Sequence, residues 1–185
     1  MTENRTDRIP TRTECEELMA RHSMLPHIIE HSLQVMRVSV AISNHLKDGV
    51  SVNRDLVIAA ALLHDITKTR SLKTKEKHSA SGGALLRELG FPSIAKIVEQ
   101  HVIIQNLNLE GKIEEKEIVY YADKRVMHDK IVTIEERVHD LIRRYGTTEE
   151  IRNQIIRNKE KFIAVERKIA GFMKTDINNA IKEIV

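Results

Sequence analysis

Apolar residues in this chain recur at three- and four-residue intervals, the period of a helix with one buried face. Thr13 and Glu16 have the spacing of a capping box and predict a first helix from Glu14 to Arg21. Pro26 suits the first turn of a longer helix reaching about Leu46, stopped by Asp48-Gly49. Asn53 caps the next, which runs to about Asp65. A basic loop over Lys68 to Lys77 follows, then a helix from about Ser79 to Leu89 that ends at Gly90. Pro92 or Ser93 opens another, to about Val102, and Asn106 to Gly111 reads as a turn. The helical pattern resumes from about Glu114 to His128. Thr133 and Glu136 form a second capping box for a helix to Tyr145, stopped by Gly146.

Thr147 and Glu150 start the last stretch, whose apolar stripe is Ile151, Ile155, Phe162, Val165, Ile169 and Phe172. No segment shows the alternation of a strand, so the expected fold class is all-α. A single helix from Thr148 to Ile184 is too long for a compact core to bury alone. A break near Gly171, a hairpin, or pairing with a second copy in a homodimer are the readings this leaves. The expected organisation is a helical core over residues 1–146 and a C-terminal helical extension over 147–185, packed on the core or on a second chain.

Composition supports helices: no Trp, three Pro, and few aromatics in 185 residues. Cys15 is the only cysteine, which excludes an intrachain disulfide and a Cys-based zinc site within one chain, and a reducing cytoplasm is the expected setting. Met1 to Arg8 is polar, without a secretory apolar segment, and no apolar run reaches membrane-spanning length. A net charge of +3 gives no reason to expect specific nucleic-acid binding. The local surplus Lys68, Arg70, Lys73, Lys75 and Lys77 against Glu76 reads either as a solvated loop or, from its place after His64-Asp65, as a surface meeting an anionic substrate.

The chemistry lies in polar residues on apolar stripes. His31 is in line with Val35, Val38 and Ile42; His64 follows Val57, Ala60 and Ala61; His78 leads Gly82, Leu85 and Leu89. His101 completes Ile94, Ile97 and Val98, and Asp123 lies between Val119 and Val126. Taken singly, each His is better read as a hydrogen-bonded core residue than as a ligand. Taken together, four inward His and two inward Asp, Asp65 and Asp123, exceed what ordinary hydrogen bonds satisfy, and a shared metal centre satisfies them all. His64 and Asp65 end the apolar run Leu56 to Leu63. Helical neighbours point about 100° apart, so the two converge on one ion only at a helix end, which the polar Thr67-Lys68-Thr69 supplies. His45, His128 and His139 have polar neighbours and read as surface residues; His22 and His27 stay undecided. His27 and His31 have chelating spacing, but His27 falls in the first turn beside Pro26.

With these residues in place, the chain resembles the HD-domain superfamily of metal-dependent phosphohydrolases. The order His31, His64-Asp65, Asp123 is similar to the family's H…HD…D signature, with His78 and His101 between as in members with two metals. Leu62-Leu-His-Asp-Ile-Thr-Lys68 resembles the HDIGK form of the motif, with Thr67 where Gly is usual. The resemblance covers about Leu25 to Tyr145. It implies a helical-bundle core in which His31, His64, Asp65 and Asp123 hold a first metal. It also implies that Asp65 bridges to a second metal held by His78 and His101, and that Lys68 contacts a substrate phosphate. No Gly-Tyr-Pro motif follows His101, so the cyclic-dinucleotide phosphodiesterases of HD-GYP type are not indicated. The chain is also similar in length and ligand order to bacterial HD enzymes that cleave diadenosine tetraphosphate symmetrically, but Ala122-Asp-Lys-Arg125 and the tail depart from them.

Two divalent ions about 3.5–4 Å apart can bridge a water, lower its pKa and direct the hydroxide at phosphorus. In that chemistry Asp65 and Lys68 are the catalytic residues, and Lys68, Lys124 and Arg125 are the candidate substrate-binding cations. The imidazole-rich set favours Mn, Fe, Co, Ni or Zn over Mg. The expected activity is hydrolysis of a phosphate ester or anhydride of a nucleotide or related small molecule. The rivals are the diadenosine-tetraphosphate activity, an HD-type diiron oxygenase, and a non-catalytic metal- and nucleotide-binding regulatory module. A purely structural bundle would have to satisfy six inward polar residues without metal.

Overall fold

The computed structural model describes residues 7–184; the first six residues of the polar N-terminal stretch, and Val185, lie outside them. The chain folds as α1 (Arg12–Arg21), α2 (Pro26–Asn44), α3 (Arg54–Leu63), α4 (Lys68–Thr74), α5 (His78–Glu88) and α6 (Pro92–Val98), followed by α7 (Glu115–Lys124). A hairpin of β1 (Val126–Met127) and β2 (Lys130–Ile131) then leads to α8 (Ile134–Tyr145), α9 (Glu149–Gly171) and α10 (Ile177–Lys182). The protein is all-α apart from that two-stranded antiparallel hairpin. Among the described residues no helix is long and apolar enough to cross a membrane.

The unbroken apolar run of α3 reflects its place. It packs against α1, α2, α6 and α7, and beyond its exposed first residues, Arg54 and Asp55, it has no exposed face: Val57 and Ala59 to Leu63 are buried. Alanine at three successive positions lets neighbouring helices approach closely. The helix ends where polarity returns: Ile66 N–H bonds to Leu63 O and Lys68 N–H to Asp65 O, and the chain turns into α4. Thr67, in the place where the resembled motif has Gly, donates its hydroxyl to His78 O at 2.9 Å and so ties α5 to the end of α3. Gly82 faces this contact. A Cβ there would lie 3.2 Å from Val98 Cγ1 and 3.4 Å from Thr67 Oγ1, so the small residue lets α5 sit against α6 and Thr67.

Several predicted boundaries shift, each for a local reason. The first capping box is Thr11 with Glu14, not Thr13 with Glu16; Thr11 Oγ1 accepts from Glu14 N–H, and Thr11 N–H donates to the Glu14 carboxylate. Arg8 holds that carboxylate from outside, at 2.7 Å. The basic stretch after Lys68 is helical through Thr74, because it contains no Gly or Pro to break it; only Lys75 turns left-handed, at φ 62°. The helix from Pro92 ends at Val98, before the predicted Val102. The helix from Glu115 stops at Lys124, where Arg125 N–H is shared between Tyr121 O and Ala122 O, and the next residues pair as strands too short to show an alternating pattern.

The capping box at Thr133 and Glu136, and the stop at Gly146, are as predicted. Of the readings left for the tail, the break at Gly171 is the one observed. Asp176 caps α10, which packs on α2. Hydrogen bonds from Lys47 N–H to Phe172 O and from Lys174 N–H to His45 O fasten the connection to the end of α2. Phe162, Val165, Ile169, Ile177 and Ile181 join the same buried cluster as α3 and α7.

Candidate metal centre

Five helices deliver six side chains to one place. His31 comes from the second turn of α2, and His64 and Asp65 from the C-terminal end of α3. His78 opens α5, His101 follows α6, and Asp123 sits in the last turn of α7. His64, Asp65, His101 and Asp123 are buried. The rings pack edge to edge, with centroids 5.3 Å apart for His31 and His64 and 5.0 Å apart for His64 and His101.

Backbone carbonyls fix which nitrogen of each ring faces inward. His31 Nδ1 lies 2.9 Å from His128 O, His64 Nδ1 2.7 Å from Ala61 O, and His101 Nδ1 2.6 Å from Val98 O. A carbonyl only accepts, so in each case Nδ1 carries the hydrogen and Nε2 presents a lone pair to the cluster. Burial pulls the pKa of His64 down to about 4, against the opposing pull of Asp65, so its ring is neutral. Burial likewise lowers His78, with Asp65 opposing. Burial alone would raise Asp65, but His64, His101, His78 and Lys68 hold it well below the usual carboxylate range. Asp123 is held low in the same way, chiefly by Lys124 and His31. The neutral His64 ring and the ionised Asp65 and Asp123 are the donor forms that divalent ions bind.

The donors fall into two groups that share Asp65. Asp65 Oδ2 faces His64 Nε2 at 3.6 Å, while Asp123 Oδ1 lies 3.6 Å from His64 Nε2 and 3.0 Å from His31 Nε2. Asp65 Oδ1 faces the other way, 3.2 Å from His78 Nε2 and 3.5 Å from His101 Nε2. His31, His64 and Asp65 form one set of donors close enough to hold an ion, and Asp65, His78 and His101 a second. The fit can be tested on the polar atoms themselves. His64 Nε2 and Asp65 Oδ1 are buried without a hydrogen-bond partner. His78 Nε2 and His101 Nε2 face each other at 3.1 Å, an arrangement in which two lone pairs repel unless a cation or proton lies between them. Cations at these two positions would satisfy His64 Nε2, Asp65 Oδ1 and the facing nitrogens of His78 and His101, so the residues fit a dinuclear centre.

The structure brings Lys68 to the same place, with Nζ 3.6 Å from Asp65 Oδ1 and 3.3 Å from His78 Nε2. Lys124 is buried against the centre and binds Asp123 Oδ2 at 2.6 Å and His101 O at 2.9 Å, so it leaves only Oδ1 of Asp123 free to point inward. Arg125 is not brought there. It lies past the end of α7 and turns to the opposite side, where Nε donates to Val132 O at 2.7 Å and Nη1 to Tyr121 Oη at 2.6 Å. Arg125 and Lys124, expected together as substrate contacts flanking Asp123, are thus not brought together at the centre.

Sequence reasoning overlooked two contributions. His128 is exposed, as expected, but its backbone carbonyl orients His31 from the hairpin turn, where its φ is 57°. Arg137, Leu141 and Tyr145 of α8 line the cleft over the centre together with Leu72, and Arg144 lines its outer end. The available signal was the spacing of residues 137, 141, 144 and 145, which puts them on one helical face.

Comparison with known proteins agrees with this geometry. The family described as HD domain matches residues 28–128. The chain belongs to that family. An uncharacterised protein of Methanocaldococcus jannaschii, MJ0778, is 30% identical over 65% of this chain and 78% of its own length. The dihydroneopterin 2',3'-cyclic phosphate phosphodiesterase of the same organism is 34% identical over 52% of this chain and 45% of its own length. A tRNA (cytidine(56)-2'-O)-methyltransferase of Picrophilus torridus is 30% identical over 69% of this chain, but only 40% of its own length is matched. No solved structure matches.

Proposed function

We propose that this member of the HD domain family is a metal-dependent phosphohydrolase with two divalent ions, acting on a phosphate ester or anhydride of a nucleotide or related small molecule. The observation that carries the reading is the orientation of Asp65, whose two oxygens face two separate groups of histidines. His31, His64 and Asp123 would hold one ion with Asp65, and His78 and His101 the other. When bound, such ions polarise a water and the phosphoryl oxygens and accept charge in the transition state.

The chain's own residues supply the rest. His128, Ala61 and Val98 carbonyls hold three imidazoles in the tautomer that presents Nε2. Lys124 turns Asp123 inward. Lys68, half-buried beside the centre, is placed to neutralise charge on a phosphate oxygen or leaving group. Mn, Fe, Co, Ni or Zn suit the imidazole-rich set better than Mg. The relative named as a cyclic-phosphate phosphodiesterase supports a phosphodiester among the substrates to be tried first. Methyl transfer would leave the two donor groups around Asp65 without a role, so the activity of the Picrophilus methyltransferase is not carried over to this chain.

The test is elemental analysis of purified protein, followed by a product screen over mono-, di- and oligophosphate nucleotides and 2',3'-cyclic nucleotides with Mn or Fe. The expected result is P–O cleavage that a chelator abolishes and that proceeds without O₂. A product formed only with O₂ would instead support oxidation by a diiron centre, and metal and nucleotide binding with no turnover would support a regulatory module.

A further inference from the structure

Beside the ligand cluster the cleft continues into a chamber lined by His27, His128, Arg137, Arg144 and Tyr145, with Asp65 and Lys68 on the wall shared with the centre. Among the described residues Asp65, already committed to the histidines, is the one acid that lines it. The carboxylate that serves the arginines lies outside it. Asp140, on the same helix, receives Arg137 at 3.1 Å, Arg143 at 2.9 Å and Arg144 at 3.6 Å. One carboxylate for three guanidinium groups leaves an excess of two positive charges, and it orients Arg137 and Arg144 through one Nη1 each, leaving their other donors unused by Asp140.

Arg137 is the most telling of these residues. Its side chain is only 12% exposed, and its Nε is buried with no hydrogen-bond partner. A guanidinium held that far from water without full pairing is costly, and an acceptor entering the cleft that Arg137 lines would complete it. Arg144 lies over the Tyr145 ring, 5.3 Å from its centroid, at the chamber's outer wall. Planar forks of this kind match the oxygens of a phosphoryl group.

We infer that this chamber is a second phosphate subsite, so that the substrate carries a further phosphoryl group beside the one that reacts. This rests on the phosphohydrolase reading for the word substrate, but the subsite itself is a property of the side chains. Arg137 and Arg144 are then specificity residues that favour bisphosphorylated or oligophosphate compounds over simple monophosphates, with His27 and His128 available at the rim.

The experiment is calorimetric titration of metal-loaded protein with inorganic phosphate and with pyrophosphate, in buffer saturated with the same ion so that chelation does not strip the centre. Pyrophosphate is expected to bind about tenfold more tightly than phosphate, the worth of one charge-assisted contact. The ratio should collapse in Arg137→Gln and in the Arg137→Gln/Arg144→Gln double variant, recover in part in Arg137→Lys, and leave metal content intact in each. Arg144 is more exposed, so Arg144→Gln alone serves if changes at Arg137 prevent folding. A wild-type ratio near one, or a ratio that survives the double variant, overturns the subsite. If the ratio behaves as expected but no phosphoryl compound is cleaved, the phosphohydrolase reading falls and the subsite stands. Cleavage of monophosphates as fast as of oligophosphates, with no pyrophosphate preference, gives the reverse.

Discussion

Replacing Asp65 takes a donor from both ligand groups at once, because its two oxygens face opposite ways. Asp65→Ala is expected to lose both ions together and all turnover, read by elemental analysis and product formation; full activity in that variant would refute the bridging role. Lys68→Ala, by contrast, should keep its metal while turnover drops about a hundredfold, the usual cost of removing a cationic contact to the developing charge. Cys15 offers a check of a different kind. Burial, helped by Glu14 and Glu16, pushes its thiol up to about 12. Native protein should therefore resist a thiol reagent at about pH 8 and expose one thiol on denaturation. Above about pH 9 the unfolded thiol ionises while the folded one keeps its proton, so this residue's contribution to stability is intact below that pH and is lost as pH rises toward 12. At this scale the six proposed ligands were legible because a polar side chain on an apolar stripe must point inward. The partner of His31 was not, since a backbone carbonyl at position 128 has no residue identity to read. Nor was the outward turn of Arg125, since the helix ends at Lys124 and not at the expected His128.

Caps decided how well each helix could be read. Thr133 and Glu136 bond reciprocally, Thr133 N–H donating to Glu136 at 2.8 Å and Glu136 N–H to Thr133 Oγ1 at 3.1 Å, and the predicted start of α8 is the observed one. At the first helix two Thr-x-x-Glu pairs overlap in sequence, and the one that forms the box is Thr11 with Glu14, whose carboxylate Arg8 also holds, while Glu16 is taken by Arg12 at 2.9 Å. The segment after Lys68 was read as a loop on charge alone, although lysine and arginine are good helix formers and nothing in it breaks a helix before Lys75. The capping of α8 also bears on the cleft, since this helix carries Arg137 and Arg144. Thr133→Ala should cost about 1 kcal/mol in denaturant unfolding. Because it loosens the first turn of α8, the turn before Arg137, it should also weaken pyrophosphate binding more than phosphate binding. An unchanged unfolding midpoint would mean that the box is redundant with the packing of Ile134 and Val138.

The whole molecule closes around α3 by fastening its distant segments with buried polar contacts rather than by helix packing alone. The main one joins α9 to the centre of the fold. Lys168 Nζ donates to Glu117 Oε1 at 2.6 Å and to the carbonyls of Asn108 and Lys112, each at 2.8 Å. It thereby pins the loop between His101 and Asp123, two of the proposed ligands, to the C-terminal stretch. No sequence pattern pointed to this pair, because a Lys and a Glu fifty-one positions apart look like two surface charges until the helices that carry them are packed together. Breaking it should be far more damaging than its contact area suggests. Lys168→Ala strands a buried carboxylate and two carbonyls, a loss of about 3–5 kcal/mol, whereas Lys168→Met with Glu117→Gln removes both charges and should recover much of it. Denaturant unfolding of the single and double variants measures this directly. If α9 truly holds the 102–114 loop in place, the single variant should also lose metal affinity with all six proposed ligands intact. An unfolding midpoint within experimental error of wild type would show that water replaces the lysine and that the tail is fastened by its apolar face alone.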